Sequence, residues 1–396
     1  MNRFLFAGAV VITMAFYACK SNDKEEDKGP LSKIALELVD SLVVDEFSPL
    51  VMDDFMEEEG LFLLRGTKSR KPYLVNNKGD IVKIFEVLNE GPDGLGSSGA
   101  FGYRFLDKNR WVAQGLFNGF HLYDMRGKKE KVIPPNNLGV FAMTVYTFRT
   151  TFNPYVKDGV PYMIGEEQNL YNPKEISGTE LGAGFYEKVK TLYRYRLDNE
   201  EHELLETYPE SWGPRRNERF VGASHPMVAY HKSKGEMAVL PVMGNELFVY
   251  DFSAEQPVMK HQVNLTHPYR PAEAPQIEAG SREYFSDYPS FTELRYCGEK
   301  ILVGFHTRIP VDVVKQLRAQ SEQYYNMPEY KEAEAQYIKT YFLVVENGEQ
   351  IGVLDKFPVP GRLDFTDEKG FLYVNDNVDP ATERDYNVFY KIRIRK

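Results

Sequence analysis

The stretch YKIRIR at residues 390–395 alternates apolar and basic side chains with a period of two. Successive side chains of an extended strand point to opposite faces, so this stretch predicts a strand with one buried and one solvated face. YRYRL at residues 193–197 shows the same alternation. Short turns rich in Gly and Asn separate many such runs, and helical periodicity is scarce. The chain is therefore predicted to be all-β.

The predicted strands fall into groups of four. The five complete groups are 49–55, 61–65, 72–76 and 80–88; 99–106, 109–114, 119–124 and 128–133; 139–148, 160–165, 190–197 and 201–207; 226–231, 235–242, 246–252 and 258–264; and 289–296, 300–305, 340–346 and 349–355. The last group has three strands, at 361–365, 370–375 and 387–394, and one strand remains at the N-terminus, KIALELV at residues 33–39.

This arithmetic is typical of a β-propeller, in which four-stranded blades repeat around an axis. The N-terminal strand would complete the last blade and so remove an open sheet edge. We predict one six-bladed β-propeller domain over residues 33–396, closed by the N-terminal strand. A pair of β-sandwiches and an irregular all-β solenoid are the alternatives.

One segment carries a helical pattern. Apolar residues follow helical spacing from Val311 to Leu317, Pro328 interrupts the pattern, and it resumes through Tyr337. Two short helices are therefore predicted as an insertion in blade five, at about residues 310–339. The insertion would act either as a lid or as a simple cover for the blade.

The composition restricts the partners. The 396 residues include 48 Lys and Arg against 58 Asp and Glu, a formal net charge of −10. Binding to nucleic acid needs a clustered basic surface, so a nucleic-acid partner is not expected. With two Cys in the chain, no internal disulfide framework is predicted.

The first eighteen residues read as a leader. A basic start is followed by an uncharged apolar run at residues 4–18, which is shorter than the roughly 20 residues that a spanning helix needs. Bulky Phe16 disfavours simple cleavage after Ala18, whereas the ending FYAC at 16–19 resembles a bacterial lipobox. We predict a lipoprotein signal peptide at 1–18 with lipidation of Cys19. A plain secreted protein is the alternative.

Residues 19–32 carry many charges and almost no apolar side chains, so they predict a flexible acidic tether. Acidic residues this close to a lipidated Cys resemble the surface-export signal of Bacteroides-type lipoproteins. The predicted location is the outer membrane, with the propeller exposed at the cell surface or, alternatively, facing the periplasm.

Two motifs carry a family resemblance: NEGPDG at 89–94, after a strand, and ERDYNVFYKIRI at 383–394. With them the chain resembles a lipoprotein family of Bacteroidetes known only as a domain of unknown function. The resemblance implies a six-bladed propeller and an envelope location. It implies no activity.

The long connections are predicted to share one face of the propeller. If each blade runs outward from the axis, the loops 89–98, 166–189, 208–225, 265–288, 306–339 and 376–386 lie on one face. Tight turns lie on the other face, with 149–159 as the one long exception. A rigid scaffold with long loops on one side is how many proteins present a binding site.

Polar side chains at the predicted loop-bearing end of the channel form the candidate binding pocket. They are His225, Tyr288, His306, Arg308, Arg362 and Asp376. A pocket with this mixture would bind an anionic or sugar-like ligand. Ordinary hydrogen bonding at the channel mouth is the alternative explanation for these residues.

The candidate motifs for catalysis or cofactor binding lack the neighbouring structure or residues that such motifs need. GLGSSG at 94–99 is followed by a predicted strand, whereas a dinucleotide site needs a helix there. HELLE at 202–206 ends in Glu where a zinc protease has His, and it too reads as strand. The carboxylate-rich segment 376–385 lacks the spacing of a calcium loop, and Cys297 reads as an unreactive structural thiol. No catalytic residue, cofactor or metal is predicted.

Three functions compete. The first is a lipid-anchored envelope propeller that binds a glycan, peptide or protein through its long-loop face. The second is a hydrolase or lyase with His225 or His306 as base and Arg308 or Arg362 stabilising an anion. The third is an accessory subunit of an outer-membrane protein complex.

Overall fold

A computed structural model of the chain describes residues 31–96, 99–115, 119–134, 150–167, 170–253, 256–278, 287–377 and 384–395. The predicted leader, Cys19 and most of the predicted tether lie outside these residues. Residues Ser32–Lys396 form one compact unit. None of the helices in the described ranges is long and apolar enough to cross a membrane.

Six small antiparallel sheets surround a central channel, which confirms the predicted six-bladed β-propeller. The strands of each blade are given from the axis outward. Blade one is β3 (Leu50–Met56), β4 (Leu61–Gly66), β5 (Pro72–Asn76) and β6 (Ile81–Ile84), and blade two is β7 (Ala100–Asp107), β8 (Arg110–Gly115), β9 (Phe120–Asp124) and β10 (Lys129–Ile133). Blade three is β11 (Phe152–Lys157), β12 (Val160–Glu166), β13 (Leu192–Arg196) and β14 (His202–Leu205).

The remaining blades follow the same plan. Blade four is β15 (Met227–His231), β16 (Glu236–Leu240), β17 (Glu246–Asp251) and β18 (Val258–Asn264); blade five is β19 (Phe291–Cys297), β20 (Lys300–His306), β21 (Thr340–Glu346) and β22 (Glu349–Leu354); and blade six is β23 (Arg362–Thr366), β24 (Phe371–Asn375), β25 (Asn387–Ile394) and β2 (Leu36–Val44).

The N-terminal strand closes the ring, as predicted, but with different bounds. β2 pairs antiparallel with β25 from Leu36↔Ile394 to Val44↔Asn387, rather than over residues 33–39. The first part of the predicted strand forms a separate short strand, β1 (Lys33–Ile34), which pairs in parallel with β22 of blade five. The N-terminal segment therefore joins the last two blades.

The helices lie in the connections. The predicted insertion of blade five forms α4 (Val311–Gln320) and α5 (Pro328–Tyr337), with a 3-10 turn at Tyr324–Asn326 between them. Elsewhere in the described ranges there are three single-turn helices: α1 (Gly178–Leu181), α2 (Phe185–Lys188) and α3 (Gly213–Arg216), with a 3-10 turn at Gly182–Gly184. Pro328 stands at the start of α5, where its missing N–H removes no helical hydrogen bond.

The predicted two-sided strands are two-sided in the structure. In β13, Tyr193 and Tyr195 are buried, whereas Arg194 and Arg196 lie on the opposite face, where they pair with Glu203 and Asp198. Aromatic residues fill the spaces between blades. The ring of Trp111 in blade two, for example, stacks on Tyr123 of the same blade with centroids 4.4 Å apart, and its centroid lies 4.9 Å from that of Phe85, which follows β6 of blade one. Burial of such large rings is a main source of stability in a core of this kind.

Blade three differs from the prediction in one strand. Its innermost strand is β11 (Phe152–Lys157), which pairs with β12 along its whole length. The predicted strand at 139–148 lies outside the described residues. The turn after β11 is only Asp158–Gly159, so every connection from an innermost strand to the next strand outward is tight. The end of the propeller that carries these turns is called the tight-turn face below.

The rejected motifs lie where the sequence indicated. The residues after the Gly-rich segment form β7, and His202–Leu205 is strand β14. Cys297 is buried, and burial raises the pKa of its thiol. NEGPDG forms a turn in which Gly94 approaches the carbonyl of Asn89 so closely that a Cβ would clash with it.

Candidate functional site

Carboxylates hold the innermost strands of neighbouring blades together. β3 contains a bulge at Asp53, between the register pairs of Met52 and Asp54. A bulge changes the side-chain alternation, and both consecutive carboxylates accept hydrogen bonds from β7. Asp53 accepts from the Tyr103 N–H at 3.1 Å, and Asp54 accepts from the Phe105 N–H at 2.8 Å.

The same device recurs at two other blade boundaries. Asp364 of the innermost strand β23 accepts the N–H of Met52 in blade one at 2.7 Å. Glu166, at the end of β12 in blade three, accepts the N–H of Val228 in the innermost strand of blade four at 2.7 Å. The free edge of each innermost strand would otherwise leave N–H groups without partners. These bonds therefore fix the spacing of the strands around the channel.

The channel contains a cavity of about 780 Å³. Every innermost strand contributes to its lining, represented in blade order by Asp54, Arg104, Asn153, Tyr230, Arg295 and Phe365. Residues of the tight turns, such as Glu58 and Glu368, also line it. The cavity therefore opens toward the tight-turn face, and its size lies within the range of small-molecule sites.

Cations from three blades face this cavity. Arg104 of blade two donates to Asp54 at 3.2 Å, and its guanidinium lies over the Phe365 ring at 5.8 Å. The Lys232 side chain reaches from blade four across the channel, where it donates to the carbonyl of Phe105 at 2.8 Å. Its Nζ also lies 3.6 Å from Asp54. Arg295 of blade five is 3.2 Å from Glu293.

A Ser, a His and a Glu meet at the mouth of the cavity. The Nδ1 atom of His231 lies 3.3 Å from the Ser233 hydroxyl. The same Nδ1 atom lies 3.5 Å from a carboxylate oxygen of Glu368. Nε2 of that ring is buried with no hydrogen-bond partner among the described residues. A catalytic triad needs the nucleophile and the carboxylate on different ring nitrogens. This cluster therefore does not have the geometry of a nucleophile and its base.

The six sequence-predicted residues lie at the other end of the blades. His225 and Tyr288 precede innermost strands, and Arg362 is the first residue of one. His306 is the last residue of β20, and Asp376 directly follows β24; these are the second strands of blades five and six. None of the six lines the 780 Å³ cavity. The contacts of these residues place them in three groups.

Tyr288, His306 and Arg308 belong to blade five. The Tyr288 hydroxyl donates to the carbonyl of Gly244 at 3.1 Å. His306 Nδ1 lies 2.8 Å from the Thr340 hydroxyl, and burial, together with nearby Arg308, lowers the pKa of His306. Arg308 donates to the Ser290 hydroxyl at 3.0 Å.

Arg362 and Asp376 belong to blade six. The Arg362 guanidinium lies 3.8 Å from Asp364. Asp376 forms an ion pair with Arg384 and accepts a hydrogen bond from the Tyr390 hydroxyl at 3.3 Å. These contacts are with protein groups, and they agree with the alternative of ordinary hydrogen bonding near the channel mouth.

His225 stands alone in the third group. Its ring lies 5.8 Å from the Tyr171 ring, and its Nδ1 is buried with no hydrogen-bond partner among the described residues. Burial lowers the pKa of His225 to about 4, so the ring is neutral at pH 7. Convergence of all six residues into one pocket stays a prediction.

Sequence reasoning missed the residues of the cavity. Asp54, Arg104 and Arg295 lie inside predicted innermost strands. A charged residue at such a position was the feature of the sequence that could have indicated the cavity. It also missed Arg270, which is buried and lies 3.5 Å from the Phe291 ring centroid. Burial lowers the pKa of Arg270 to about 10.

In the described parts of the chain, no group of three or more His, Cys, Asp or Glu is placed to hold a metal.

Fold and cavity together define a six-bladed β-propeller with a polar channel. No protein-family model and no curated protein matches the chain. A member of the DUF4221 family from Bacteroides vulgatus matches with a TM-score of 0.61 and 13% identity, over 92% of this chain and 100% of that one. A Bacteroides fragilis protein predicted to be exported matches with a TM-score of 0.49 and 12% identity, over 92% of this chain and 95% of that one.

At these identities the likeness shows the fold alone. The DUF4221 structure agrees with the propeller that the family resemblance implied, since it superposes on nearly the whole chain. Membership of that family and a lipid-anchored state stay predictions.

Proposed function

We propose that this protein is an exported, lipid-anchored propeller that binds a small soluble ligand in its central channel. The observation that carries the binding role is the cavity of about 780 Å³ to which all six innermost strands contribute. A concave site with aromatic walls and a few convergent polar groups is the usual form of a ligand site. Phe55, Tyr230 and Phe365 supply such walls, and Arg104 and Lys232 supply such polar groups.

Binding is favoured over catalysis by the chemistry of the lining. Arg104, Lys232 and Arg295 carry charge and N–H donor groups, but they do not form a nucleophile with its base. The cluster of His231, Ser233 and Glu368 lacks the required geometry, as described above. A glycan, peptide or outer-membrane protein bound at the long-loop face stays a separate prediction.

Closing the mouth of the cavity should remove binding. Ser233 is an exposed residue of the turn at the mouth, so we expect Ser233→Trp to fill the entrance without disturbing the core. The measurement is saturation-transfer NMR with a library of amino acids, short peptides, sugars and organic acids. At least one compound should give a signal with the parent protein and none with the variant.

The matched control is Ser253→Trp. Ser253 is an exposed turn residue that does not line the cavity, so this variant should bind as the parent does. If no compound binds, or if the bound compounds are unaffected by Ser233→Trp, binding in the channel is disproved. Circular dichroism of both variants checks that the propeller has folded.

The proposed location rests on the N-terminal sequence. The apolar run at 4–18 followed by Cys19 supports export and lipidation, and the charged segment after it supports a tether. We propose the outer membrane as the site of the anchor, with the propeller exposed at the cell surface. A periplasm-facing anchor is the alternative.

Loss of Cys19 should release the protein from the membrane. We expect the parent to incorporate labelled palmitate and to fractionate with the membrane, whereas Cys19→Ser takes up no label and appears in the soluble fraction. Cys297→Ser is the control, since Cys297 is buried in the propeller. A parent that never takes up palmitate, or a Cys19→Ser variant that stays in the membrane fraction, would exclude the anchor.

A further inference from the structure

Charge is divided between two levels of the channel cavity. The inner level is formed by side chains of the innermost strands, where the Arg104 and Arg295 side chains are 15% and 12% exposed. The outer level, the rim, is formed by the tight turns. Acidic residues predominate there, with Glu57, Glu58, Asp367 and Glu368 in the turns and Asp107 at the end of β7, against Lys108 and Lys232. The Lys232 side chain leaves the rim, and its Nζ reaches the inner level, where it lies 3.6 Å from Asp54.

The inner level has an excess of positive charge. Arg104 and Lys232 share one carboxylate, that of Asp54, at 3.2 and 3.6 Å. The Nε of Arg104 is buried with no hydrogen-bond partner among the described residues. Arg295 and Glu293 lie 3.2 Å apart and balance each other in charge. A negatively charged group of a ligand would therefore be stabilised at this level.

The rim has two exposed acids without a Lys or Arg partner in the described parts of the chain. Glu57 forms an ion pair with Lys369, and Asp107 forms one with Arg110, whereas burial raises the pKa of Asp367. Glu58 and Glu368 remain, in the turns of two adjacent blades. The Glu368 carboxylate accepts the backbone N–H of Lys232 at 2.7 Å and faces the mouth.

The residue spacing along the strands gives a separation of about 10 Å between the two levels. Arg104 precedes Asp107 by three residues within β7, and Asp54 precedes Glu57 by three residues across the end of β3. Strands rise by roughly 3.3 Å per residue, which gives this separation. An extended peptide spans about 3.3–3.6 Å per residue, so a chain of about three residues has its two charged ends at the same spacing.

We infer that the ligand of the channel is a short extended peptide of about three residues with both ends free, its carboxylate facing Arg104 and Lys232 and its ammonium facing Glu58 and Glu368. This inference rests on the proposed function. The aromatic walls, which include Phe55, Phe105, Tyr230, Tyr296 and Phe365, would contact the peptide side chains. Hydrogen bonds to charged groups then account for the recognition of both ends.

The test compares three forms of one peptide on the full-length protein: Ala-Phe-Ala, its N-acetylated form and its C-terminal amide. Each modification removes one charge and leaves the rest of the peptide unchanged. We expect the free peptide to bind roughly ten-fold or more tightly than either modified form in isothermal titration, since each loses a charged hydrogen bond. Ser233→Trp should abolish the binding.

Matched variants assign each end of the peptide. Lys232→Gln should remove the preference for the free carboxylate, whereas Lys234→Gln in the same turn, which pairs with Glu299 outside the cavity, should keep it. Glu58→Gln should remove the preference for the free amine, whereas its neighbour Glu59→Gln, which does not line the cavity, should not.

Different outcomes separate this inference from the proposed function. If Ala-Phe-Ala does not bind while another compound does so in a Ser233-dependent way, the peptide inference is wrong and the channel remains a binding site. Equal binding of the three peptide forms also overturns the inference. If no compound binds in the channel, both the inference and the proposed function fail.

Discussion

A chain that begins at residue 45 is expected to lose cooperative folding, whereas a chain that begins at residue 31 should unfold as the full-length protein does. The shorter chain lacks β2, which pairs with β25 from Leu36↔Ile394 to Val44↔Asn387. Without β2 the last blade has three strands and an open edge. Chemical denaturation followed by circular dichroism measures the difference.

Point substitutions in β2 test the same closure without removing the strand. Leu42 is 6% exposed and packs in the core between blades six and one, whereas its neighbour Val43 is 47% exposed. We expect Leu42→Ala to lower the free energy of unfolding by about 2–5 kcal/mol, the usual range for a buried Leu. Val43→Ala should change it by less than about 0.5 kcal/mol.

These two experiments are decisive for the closure. If the chains that begin at residues 31 and 45 unfold at the same denaturant concentration, the N-terminal strand does not close the ring. Equal effects of Leu42→Ala and Val43→Ala would show that β2 does not bury alternate side chains. Either result would contradict the described pairing.

The second large effect is expected at Asp53. This carboxylate lies 2.9 and 3.1 Å from two nitrogens of Arg65, accepts the Tyr103 N–H at 3.1 Å and accepts the Thr150 hydroxyl at 3.2 Å. Asp53 and Arg65 are both buried, at 3% and 7% exposure. Asp53→Ala would leave Arg65 as an uncompensated buried charge, and we expect a loss of about 3–5 kcal/mol of unfolding free energy.

Asp198→Ala is the matched control. Asp198 also pairs with an arginine, Arg196, at 2.7 Å, but at an exposed turn where water screens the interaction. This variant should unfold at nearly the same denaturant concentration as the parent. If Asp53→Ala is equally mild, then the buried carboxylate does not hold blade one to blade two, and another interaction must position β7 beside the channel.

The two Asp residues of β3 link stability to the proposed site. The bulge at Asp53 lets Asp53 join blades one and two while Asp54 faces the cavity. Asp54 also orients Arg104 and lies near Lys232. Loss of Asp53 should therefore disturb the cavity as well as the fold, so the binding variants proposed above leave it intact.

Much of the fold could be predicted because its signals are local. The alternation in YRYRL and YKIRIR depends only on neighbouring residues, since successive side chains of a strand face opposite sides. β13 and β25 bury the predicted faces, with Tyr193, Tyr195 and Ile392 almost fully buried. The count of strands per blade, the missing strand of the last blade and the helical insertion followed from the same local patterns.

The bounds of β2 could not be obtained in this way. KIALELV at 33–39 alternates as a strand does, but the pairing with β25 extends to Val44, and Lys33–Ile34 pairs with blade five instead. Register depends on the partner strand, which lies at the other end of the sequence. A pattern within one segment does not contain that information.

The position of the cavity was decided by the tertiary structure alone. Long loops directed the sequence reasoning to one end of the channel, whereas the cavity opens at the end with tight turns. Asp54, Arg104, Lys232 and Arg295 lie in four different blades and are far apart along the chain. Only closure of the ring brings them to one channel. Local sequence patterns determine the strands within each blade, whereas the packing between blades determines which side chains face the channel.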